Sequence, residues 1–154
     1  MRANVEIRPI AVADEPEWRR LWTLYLEFYE SSVSEEVYRT TFSRLTSDHV
    51  VGDVSFYEPR GMLALVDGKP VGLVHYFYHR HGWKIEPVCY LQDLYAAPDV
   101  RGTGVGRALI EAVYAKADAD GCPSVYWMTQ EFNTEARKLY DRIATLTPFV
   151  KYSR

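Results

Sequence analysis

The segment Leu91-Gln-Asp-Leu-Tyr-Ala-Ala-Pro-Asp-Val-Arg101-Gly-Thr-Gly-Val-Gly-Arg107-Ala-Leu-Ile110 is the strongest structural signal in this chain of 154 residues. An apolar, strand-like run ends in a short polar turn, and a glycine-rich loop then opens an amphipathic helix. Glycines let a backbone curl so that several N–H groups point inward. The start of a helix adds unpaired donors and the positive end of its dipole. The segment therefore predicts a pyrophosphate-binding loop with Arg101 and Arg107 beside it.

Two common phosphate-binding motifs do not fit this loop. A Walker loop ends in Gly-Lys followed by Ser or Thr, whereas Gly106 is followed by Arg107 and Ala108. A dinucleotide-binding unit needs the pattern G-x-G-x-x-G, and Gly102, Gly104 and Gly106 have the wrong final spacing. The sequence also has no acidic residue at the end of a strand roughly 20 residues later, where such a unit needs one.

Composition bounds the class of protein. Hydrophobic residues make up 47% of the chain and charged residues 25%, which is typical of a soluble globular protein with one domain over residues 1–154. A net charge of −3 argues against nucleic-acid and membrane-surface partners. No apolar run reaches the ~18 residues of a membrane span, and the N-terminus lacks the apolar part of a secretory signal. Cys89 and Cys122 form no CxxC pair, so we expect reduced thiols and a cytoplasmic location.

Hydrophobic periodicity predicts elements in the order β-α-α-β-β-β-α-β-α-β. Asp14 is the expected N-cap of the first helix, and Asp67-Gly68 is the expected hairpin turn. The predicted strands are 5–9, 61–66, 71–79, 85–96, 124–129 and 149–152, and the predicted helices are 14–30, 34–45, 105–119 and 133–144. This order predicts an α/β fold with one mixed sheet and helices on both faces. It places the glycine loop at the carboxyl end of a strand, where such sheets bind ligands.

With this order and this loop, the chain resembles the GNAT N-acetyltransferases over essentially its whole length. Their pyrophosphate loop reads Arg-x-x-Gly-x-Gly, which Arg101, Gly104 and Gly106 match. A second segment, Trp127-Met-Thr-Gln-Glu-Phe-Asn133-Thr-Glu-Ala136-Arg-Lys-Leu-Tyr140, resembles the family's strand, its Asn and its A-x-x-x-Y helix. The glycine that usually follows the last long helix is missing, so we expect the closing hairpin to be shortened or rearranged.

The resemblance implies a GNAT-type fold and acetyl-CoA as co-substrate, with no metal. The loop amides would bind the pyrophosphate, and a strand-like backbone would pair with the pantetheine amides as an added strand does. Asn133 either caps its helix or bonds the pantetheine, and both roles stay open. The residues expected to bind the cofactor are Leu94, Tyr95, Ala96, Arg101, Gly102, Thr103, Gly104, Val105, Gly106, Arg107, Asn133, Ala136 and Tyr140.

Tyr140 matches the family's general acid, which donates to the leaving sulfur. A free phenol has a pKa of ~10 and a thiol one of ~8.5, so complete proton transfer is uphill by about 2 kcal/mol. We therefore expect Tyr140 to act as a hydrogen-bond donor to the developing thiolate.

Within the family, the run from Tyr90 to Tyr95 resembles the diamine acetyltransferases and their relatives that act on small amines and amino acids. Diamine enzymes carry Glu-Asp where this chain has Gln92-Asp93, so a carboxylate that binds or deprotonates the amine is missing here. Simple strand alternation places Tyr90 and Gln92 on one face, with Leu94 and Ala96, and places Asp93 on the other face.

The amine needs help to lose its proton, because an alkylamine with a pKa of ~10.4 is only about 0.1% neutral near pH 7.4. A water-relayed base is preferred, and the acidic candidates are Glu27, Glu30 and Glu131. Residues expected to contact the substrate are Glu27, Tyr76 and Gln92, and Tyr25, Tyr78 and Trp83 are further aromatic candidates for the amine side.

The expected reaction is direct attack by the primary amine of a polyamine-like diamine or an amino acid on acetyl-CoA, in a ternary complex. The alternatives are acetylation of a protein or peptide amine, and a non-catalytic acyl-CoA-binding regulatory module. Exposed edge strands and many aromatic residues favour a homodimer.

Overall fold

A computed structural model describes residues 4–154, which form one five-stranded sheet with helices on both faces. The strands are β1 (Val5–Pro9), β2 (Arg60–Val66), β3 (Lys69–His79), β4 (Val88–Ala96) and β5 (Val125–Tyr126). The helices are α1 (Glu15–Phe28), α2 (Glu35–Leu45), α3 (Val105–Ala119) and α4 (Thr134–Ile143). The sheet order is β1-β2-β3-β4-β5, antiparallel throughout except for the parallel pair β4–β5. The predicted α/β fold with a mixed sheet is confirmed.

The start of α1 is held by an ion pair that sequence alone did not predict. The Arg8 guanidinium donates to the Asp14 carboxylate at 2.7 and 2.9 Å, and the Ala11 N–H donates to it at 2.7 Å. Asp14 is therefore at the N-cap position but braces the preceding turn instead of capping α1 with its side chain. At the other end α1 stops at Phe28, two residues earlier than predicted, and Glu30 then adopts a left-handed φ of 55°.

Each face of the sheet has its own hydrophobic core. Helices α1 and α2 cover one face, where the buried residues are Ile10, Trp18, Leu21, Trp22, Phe42, Leu45, Leu63, Leu65, Leu73 and Tyr95. Helix α3 covers the other face, and its fully buried contributions are Val105, Leu109, Ile110, Val113 and Ala117. No helix within residues 4–154 combines the length and the apolar character that crossing a membrane requires.

Strand β4 contains an irregularity at Gln92. His75 is opposite Asp93 and the next residue of β3, Tyr76, is opposite Leu91, so Gln92 has no partner of its own. One extra residue in a strand is a β-bulge, and it shifts the alternation of side chains by one position.

This bulge overturns part of the predicted faces of β4, while Asp93 does lie on the face opposite Leu94 and Ala96 as predicted. Leu94 and Ala96 pack in the core beneath α3, whereas Asp93 accepts a hydrogen bond from Trp22 of α1. Burial raises the pKa of Tyr90, and the charge of Asp93 raises it further, so the two side chains lie near each other. The expectation that Asp93 lies on the face away from Tyr90 is therefore wrong, because a strict period of two does not survive an inserted residue.

The end of the chain differs most from expectation. Strand β5 has two residues instead of the predicted 124–129, and no strand forms in 144–154. The predicted closing strand 149–152 is wrong, since Phe149 and Tyr152 are 81% and 92% exposed. The chain lacks a glycine to turn back after α4, and Ala144 instead has extended backbone (φ −150°). The tail therefore leaves α4 without regular structure, and its residues line a groove of about 1520 Å³ beside β5.

Candidate active site

The loop between β4 and α3 is shaped to receive an anion. Gly102 and Gly104 have left-handed φ values of 81° and 96°, which L-residues with a Cβ rarely adopt. Gly104 occupies the N-cap position of α3 and offers no side chain to its first turn. The amides of Val105, Gly106 and Arg107 are thus left as donors at a helix N-terminus, an arrangement that binds phosphate groups.

Two arginines flank this loop and both have partners in the protein. The Arg101 Nε donates to the Ala96 carbonyl at 3.0 Å, and its guanidinium lies 5.6 Å from the centre of the Phe28 ring. Arg107 pairs with Glu111 at 2.6 Å on the surface of α3. Arg101 therefore ties the loop to the end of β4, and Arg107 stands at the first turn of α3.

Strand β4 has an open backbone edge where it approaches the loop. Its residues Leu94 and Ala96 pair with β3 on one side. On the other side β5 pairs only with Cys89 and Tyr90, so within residues 4–154 no strand covers the edge along 91–96. Gly72 permits the close approach of β3, since a Cβ there would lie 2.7 Å from the Tyr95 carbonyl oxygen. The diverging strands leave a slot that an extended chain with amide groups fits.

Helix α4 carries Tyr140 next to Trp127, which directly follows β5. The Tyr140 ring packs against Trp127 with 5.4 Å between ring centroids. Burial, with a smaller contribution from Tyr29, raises the pKa of Tyr140 to about 12. Tyr140 is therefore protonated at neutral pH and can donate a hydrogen bond.

Asn133 does not cap α4 with its side chain. Its Nδ2 donates to Thr129 Oγ1 at 3.1 Å, and no side-chain bond reaches the first turn of the helix. Of the two roles that the sequence left open, the capping role is wrong. Ala136 is half-buried one turn later on the same helix.

A buried polar network lies under α1. His75 Nδ1 lies 2.8 Å from Asp93 Oδ2, and the Trp22 indole N–H donates to the same oxygen at 3.3 Å. The Trp18 indole N–H donates to His75 Nε2 at 2.9 Å. Because Nε2 accepts a hydrogen bond, it carries no proton, and this assigns the proton of a neutral imidazole to Nδ1.

Asp93 is ionised within this network. Burial alone would raise the pKa of Asp93, but the hydrogen bond and the electrostatic interaction with His75, with smaller contributions from Tyr25 and Trp22, outweigh it and hold the pKa below its ordinary value. Burial, and then the charge of Asp93, raises the pKa of Tyr25, so the phenol keeps its proton.

Two tyrosines, Tyr25 in α1 and Tyr29 directly after its last residue, lie near the network. Tyr25 and Tyr29 pack edge to face with ring centroids 5.1 Å apart. Tyr29 also contributes to the raised pKa of Tyr140, so these two phenols lie near each other. The sequence named Tyr25 among the aromatic candidates for the amine side, whereas it gave Tyr29 no such role.

The residues predicted to contact substrate lie in different surroundings. Gln92 is exposed at the bulge and Glu27 is exposed on α1. Tyr76 is 3% exposed and packs against Tyr78 in the core beneath α3, so it lines no opening. Trp83 is 87% exposed in the loop between β3 and β4. Within the described part of the chain, no three His, Cys, Asp or Glu side chains cluster as metal ligands.

Comparison with known proteins gives a consistent result. The model of the Acetyltransferase (GNAT) family matches residues 18–144. A D-amino-acid N-acetyltransferase of Saccharomyces cerevisiae, HPA3, is 38% identical over 98% of this chain and 91% of its own length. A thialysine N-epsilon-acetyltransferase of Caenorhabditis elegans is 24% identical over 64% of this chain and 61% of its own length.

Solved structures share the fold. The aminoglycoside N-acetyltransferase AAC(6')-Iy in complex with CoA superposes with a TM-score of 0.80 at 20% identity, covering all of this chain and 96% of its own. A ribosomal-protein-alanine N-acetyltransferase of Brucella melitensis biovar Abortus 2308 superposes with a TM-score of 0.73 at 22% identity, covering 97% and 98%.

Proposed function

Because this chain belongs to the acetyltransferase (GNAT) family, we propose that it transfers the acetyl group of acetyl-CoA to the primary amine of an amino acid. The chain is an N-acetyltransferase of small amines, and we propose amino acids as its acceptors. The observation that carries it is the continuous path from the uncapped start of α3 along the open edge of β4 to Tyr140. Together these features offer backbone donors, a free strand edge and a phenolic hydrogen-bond donor, which are the groups that a CoA thioester requires.

The chain's own groups bind the co-substrate in three places. The amides of the loop from Gly102 to Arg107 take the pyrophosphate, with the helix dipole adding to their attraction. The backbone of Leu94, Tyr95 and Ala96 pairs with the pantetheine amides along the uncovered edge of β4. Asn133 and Ala136 on α4 close the slot from the opposite side. The thioester then lies between the bulge of β4 and the Tyr140 hydroxyl.

Tyr140 donates a hydrogen bond to the sulfur as the amine attacks the carbonyl carbon. Its pKa of about 12 makes full proton transfer to a thiolate unfavourable. The contribution of Tyr140 is therefore the stabilisation of negative charge that develops on sulfur, with solvent completing protonation.

Neither member of the buried pair can serve as the base. The lowered pKa of Asp93 makes its carboxylate a weak proton acceptor. The Nε2 atom of His75 already accepts a hydrogen bond from the Trp18 N–H. A water-relayed base is therefore proposed for deprotonation of the amine, as the sequence suggested.

Three observations support an amino acid as the acceptor. The relative that matches nearly the whole chain is named for D-amino acids. Gln92 supplies no carboxylate for a second ammonium, which disfavours a diamine. Tyr25, which the sequence offered as a candidate for the amine side, packs edge to face with a second aromatic residue, Tyr29. We further propose a single domain over residues 1–154, a homodimer and a cytoplasmic location.

Thiol release from acetyl-CoA tests the proposal directly. The acceptor panel contains D- and L-forms of several amino acids, a linear diamine, an aminoglycoside and a lysine-containing peptide. We expect turnover on amino acids above that on the diamine. Turnover confined to the peptide would contradict the proposed acceptor, and binding of acetyl-CoA without turnover on any amine would contradict the enzyme assignment.

A further inference from the structure

A histidine and a tyrosine form a hydrogen-bonded pair across the sheet. The Nε2 atom of His79 in β3 lies 2.7 Å from the Tyr126 hydroxyl in β5. The other ring nitrogen, Nδ1, lies 2.7 Å from the Arg80 carbonyl oxygen, which is an acceptor, so Nδ1 carries the proton of the neutral ring. Nε2 is therefore unprotonated and accepts from Tyr126. A proton acceptor whose ring a third group holds in orientation is the arrangement of a general base.

The pair lies where β4 and β5 begin to diverge. Tyr126 is opposite Tyr90 in the last paired row of these two strands, and the two rings stack with centroids 4.8 Å apart. Tyr90 is two residues from the bulge at Gln92, which is roughly 7 Å at the rise of a strand, a distance that a hydrogen-bonded chain of waters spans. The pair therefore lies at the closed end of the slot in which we propose that the thioester binds.

Tyr126 also borders an opening. Its side chain is 41% exposed, and it lines the groove of about 1520 Å³ that Tyr140 lines as well. Burial, and then Tyr90, raises the pKa of Tyr126, so this phenol keeps its proton and donates it to the half-buried His79. The Tyr126 hydroxyl thus connects water in the groove to an imidazole.

The surroundings of His79 let it gain and release a proton. Phe77 and Tyr126 are the rings that pack against it, and the guanidinium of Arg80 lies 5.5 Å from the centre of the Tyr57 ring. No carboxylate within residues 4–154 forms an ion pair with His79. Imidazole is the side chain that most often exchanges protons near neutral pH, and here no adjacent negative charge would retain the proton.

We propose that His79 is the proton acceptor at the end of the water relay and that Tyr126 connects it to the acceptor amine. One proton of the ammonium passes to a water, the water protonates the Tyr126 oxygen, and the Tyr126 hydroxyl proton moves to Nε2 of His79. This inference rests on the proposed acetyl transfer and names the base that the proposed function leaves open.

The remaining steps balance the reaction. The lone pair of the neutral amine forms the C–N bond, the C–S bond breaks, and sulfur takes the electron pair while Tyr140 donates a hydrogen bond to it. A second proton leaves the nitrogen and reaches sulfur through solvent. His79 then returns its proton to bulk water, which restores the neutral pair.

The test compares a nucleophile that must lose a proton with one that need not. The first is the best amino acid from the acceptor panel, and the second is an aminooxy acid with the same side chain, whose nitrogen is already neutral at neutral pH. We expect His79→Gln to lower kcat/KM roughly 100-fold for the amino acid and about threefold at most for the aminooxy acid. Tyr126→Phe should show the same pattern. The double variant should lose no more than His79→Gln alone, because the two residues act as a unit.

His81→Gln is the matched control. His81 follows the same strand, but its Nδ1 accepts from the Trp83 N–H at 3.0 Å and its ring packs on Trp83. This variant should keep wild-type constants for both nucleophiles.

The dependence on pH is a second readout. The neutral fraction of the amine rises about tenfold per pH unit below its pKa. A variant that has lost the relay uses only this neutral fraction, so the deficit of His79→Gln with the amino acid should shrink as the pH rises toward the pKa of the amine.

Two results would overturn the relay while the proposed function stands. Either His79→Gln leaves kcat/KM for the amino acid unmoved, or both nucleophiles lose equally and the deficit is constant with pH, as for a merely structural residue. If the wild-type enzyme does not accept the aminooxy acid, the dependence on pH decides. If His79→Gln does not fold, the same measurements on Tyr126→Phe decide. A wild-type chain that acetylates no amine would overturn the proposed function and the relay with it.

Discussion

The surroundings of single side chains in this protein change their protonation and hydrogen bonding in ways that residue type alone does not reveal. Tyr140 is the clearest example, since its half-buried phenol has a pKa of about 12 and packs against Trp127. Its protonation is assured across the physiological range, whereas its strength as an acid is reduced. Whether the group acts by donating a hydrogen bond or a proton is a question of magnitude that kinetics can answer.

Tyr140→Phe should lower kcat roughly 10- to 100-fold, because it removes one donor to the developing thiolate. The KM for acetyl-CoA should change little, since the ring and its contact with Trp127 are retained. Steady-state kinetics on the best amino acid from the panel measures both constants. An unchanged kcat would remove Tyr140 from the proposed reaction.

Asp14 makes the stability of the fold depend on pH. The hydrogen bond from Arg8 lowers the pKa of Asp14 below its unfolded value, outweighing burial. Because the pKa of Asp14 is lower in the folded than in the unfolded state, the ionised carboxylate stabilises the protein at pH values above the unfolded pKa of ~3.9. That contribution disappears as the pH falls through the pKa of the folded state.

Asp14→Asn should therefore cost about 1 kcal/mol of unfolding free energy at neutral pH, a figure discounted for the part-exposed Arg8. The difference from wild type should shrink as the pH falls below about 4. Urea titrations at several pH values measure it. A difference that stays constant down to about pH 2 would show that the ion pair is not its cause.

At the scale of elements, sequence predicted best where local chemistry dominates. The bounds of α3 agree with prediction because glycines precede it and its apolar spacing is uninterrupted. The bulge at Gln92 was not predictable in this way, because it depends on the register between β3 and β4. That one residue decides that Tyr90 shares a face with Asp93, so the polar network under α1 was missed. The motifs pointed to the loop and Tyr140, whose roles stay predictions.

Gly104→Ala tests the loop as an element. Placing a Cβ at a φ of 96° costs roughly 1–2 kcal/mol and moves the amides that start α3. Gly121→Ala is a matched control, since it has a φ of 75° just after the other end of the same helix and no atom within 4 Å of a new Cβ.

Both glycine variants should lose similar stability without ligand. Saturating acetyl-CoA at about 100 times its Kd should stabilise wild type and Gly121→Ala by about 2.7 kcal/mol, a rise in Tm of roughly 5–10 °C. Gly104→Ala should show a much smaller rise in thermal-shift measurements. Equal shifts in the two variants would argue that the loop does not bind the cofactor.

At the scale of the whole molecule, the sheet ends in a short edge. Strand β5 offers a two-residue edge to solvent, and the tail beyond α4 exposes Phe149, Val150 and Tyr152. Exposed apolar side chains beside an unpaired strand edge are typical of a surface that contacts another chain. This arrangement supports the homodimer, which stays a prediction.

Light scattering should therefore give about twice the chain mass of 17.8 kDa. Replacing Phe149 and Tyr152 together by Ser should shift the species to the mass of one chain at the same concentration. Val12→Ser, which changes a 74% exposed apolar residue at the opposite edge of the sheet, serves as the control. A wild-type mass of one chain would contradict the predicted dimer.

The four tryptophans occupy surroundings so different that the protein contains its own optical reporters. Trp18 and Trp22 are buried against the polar network, Trp83 is 87% exposed, and Trp127 lies against Tyr140 beside the slot. Removing the indole of Trp83 would subtract most of the red-shifted, solvent-quenchable emission. The remaining fluorescence would then come from indoles at the two ends of the site, so that titrations with acetyl-CoA and with acceptor could be followed without a label.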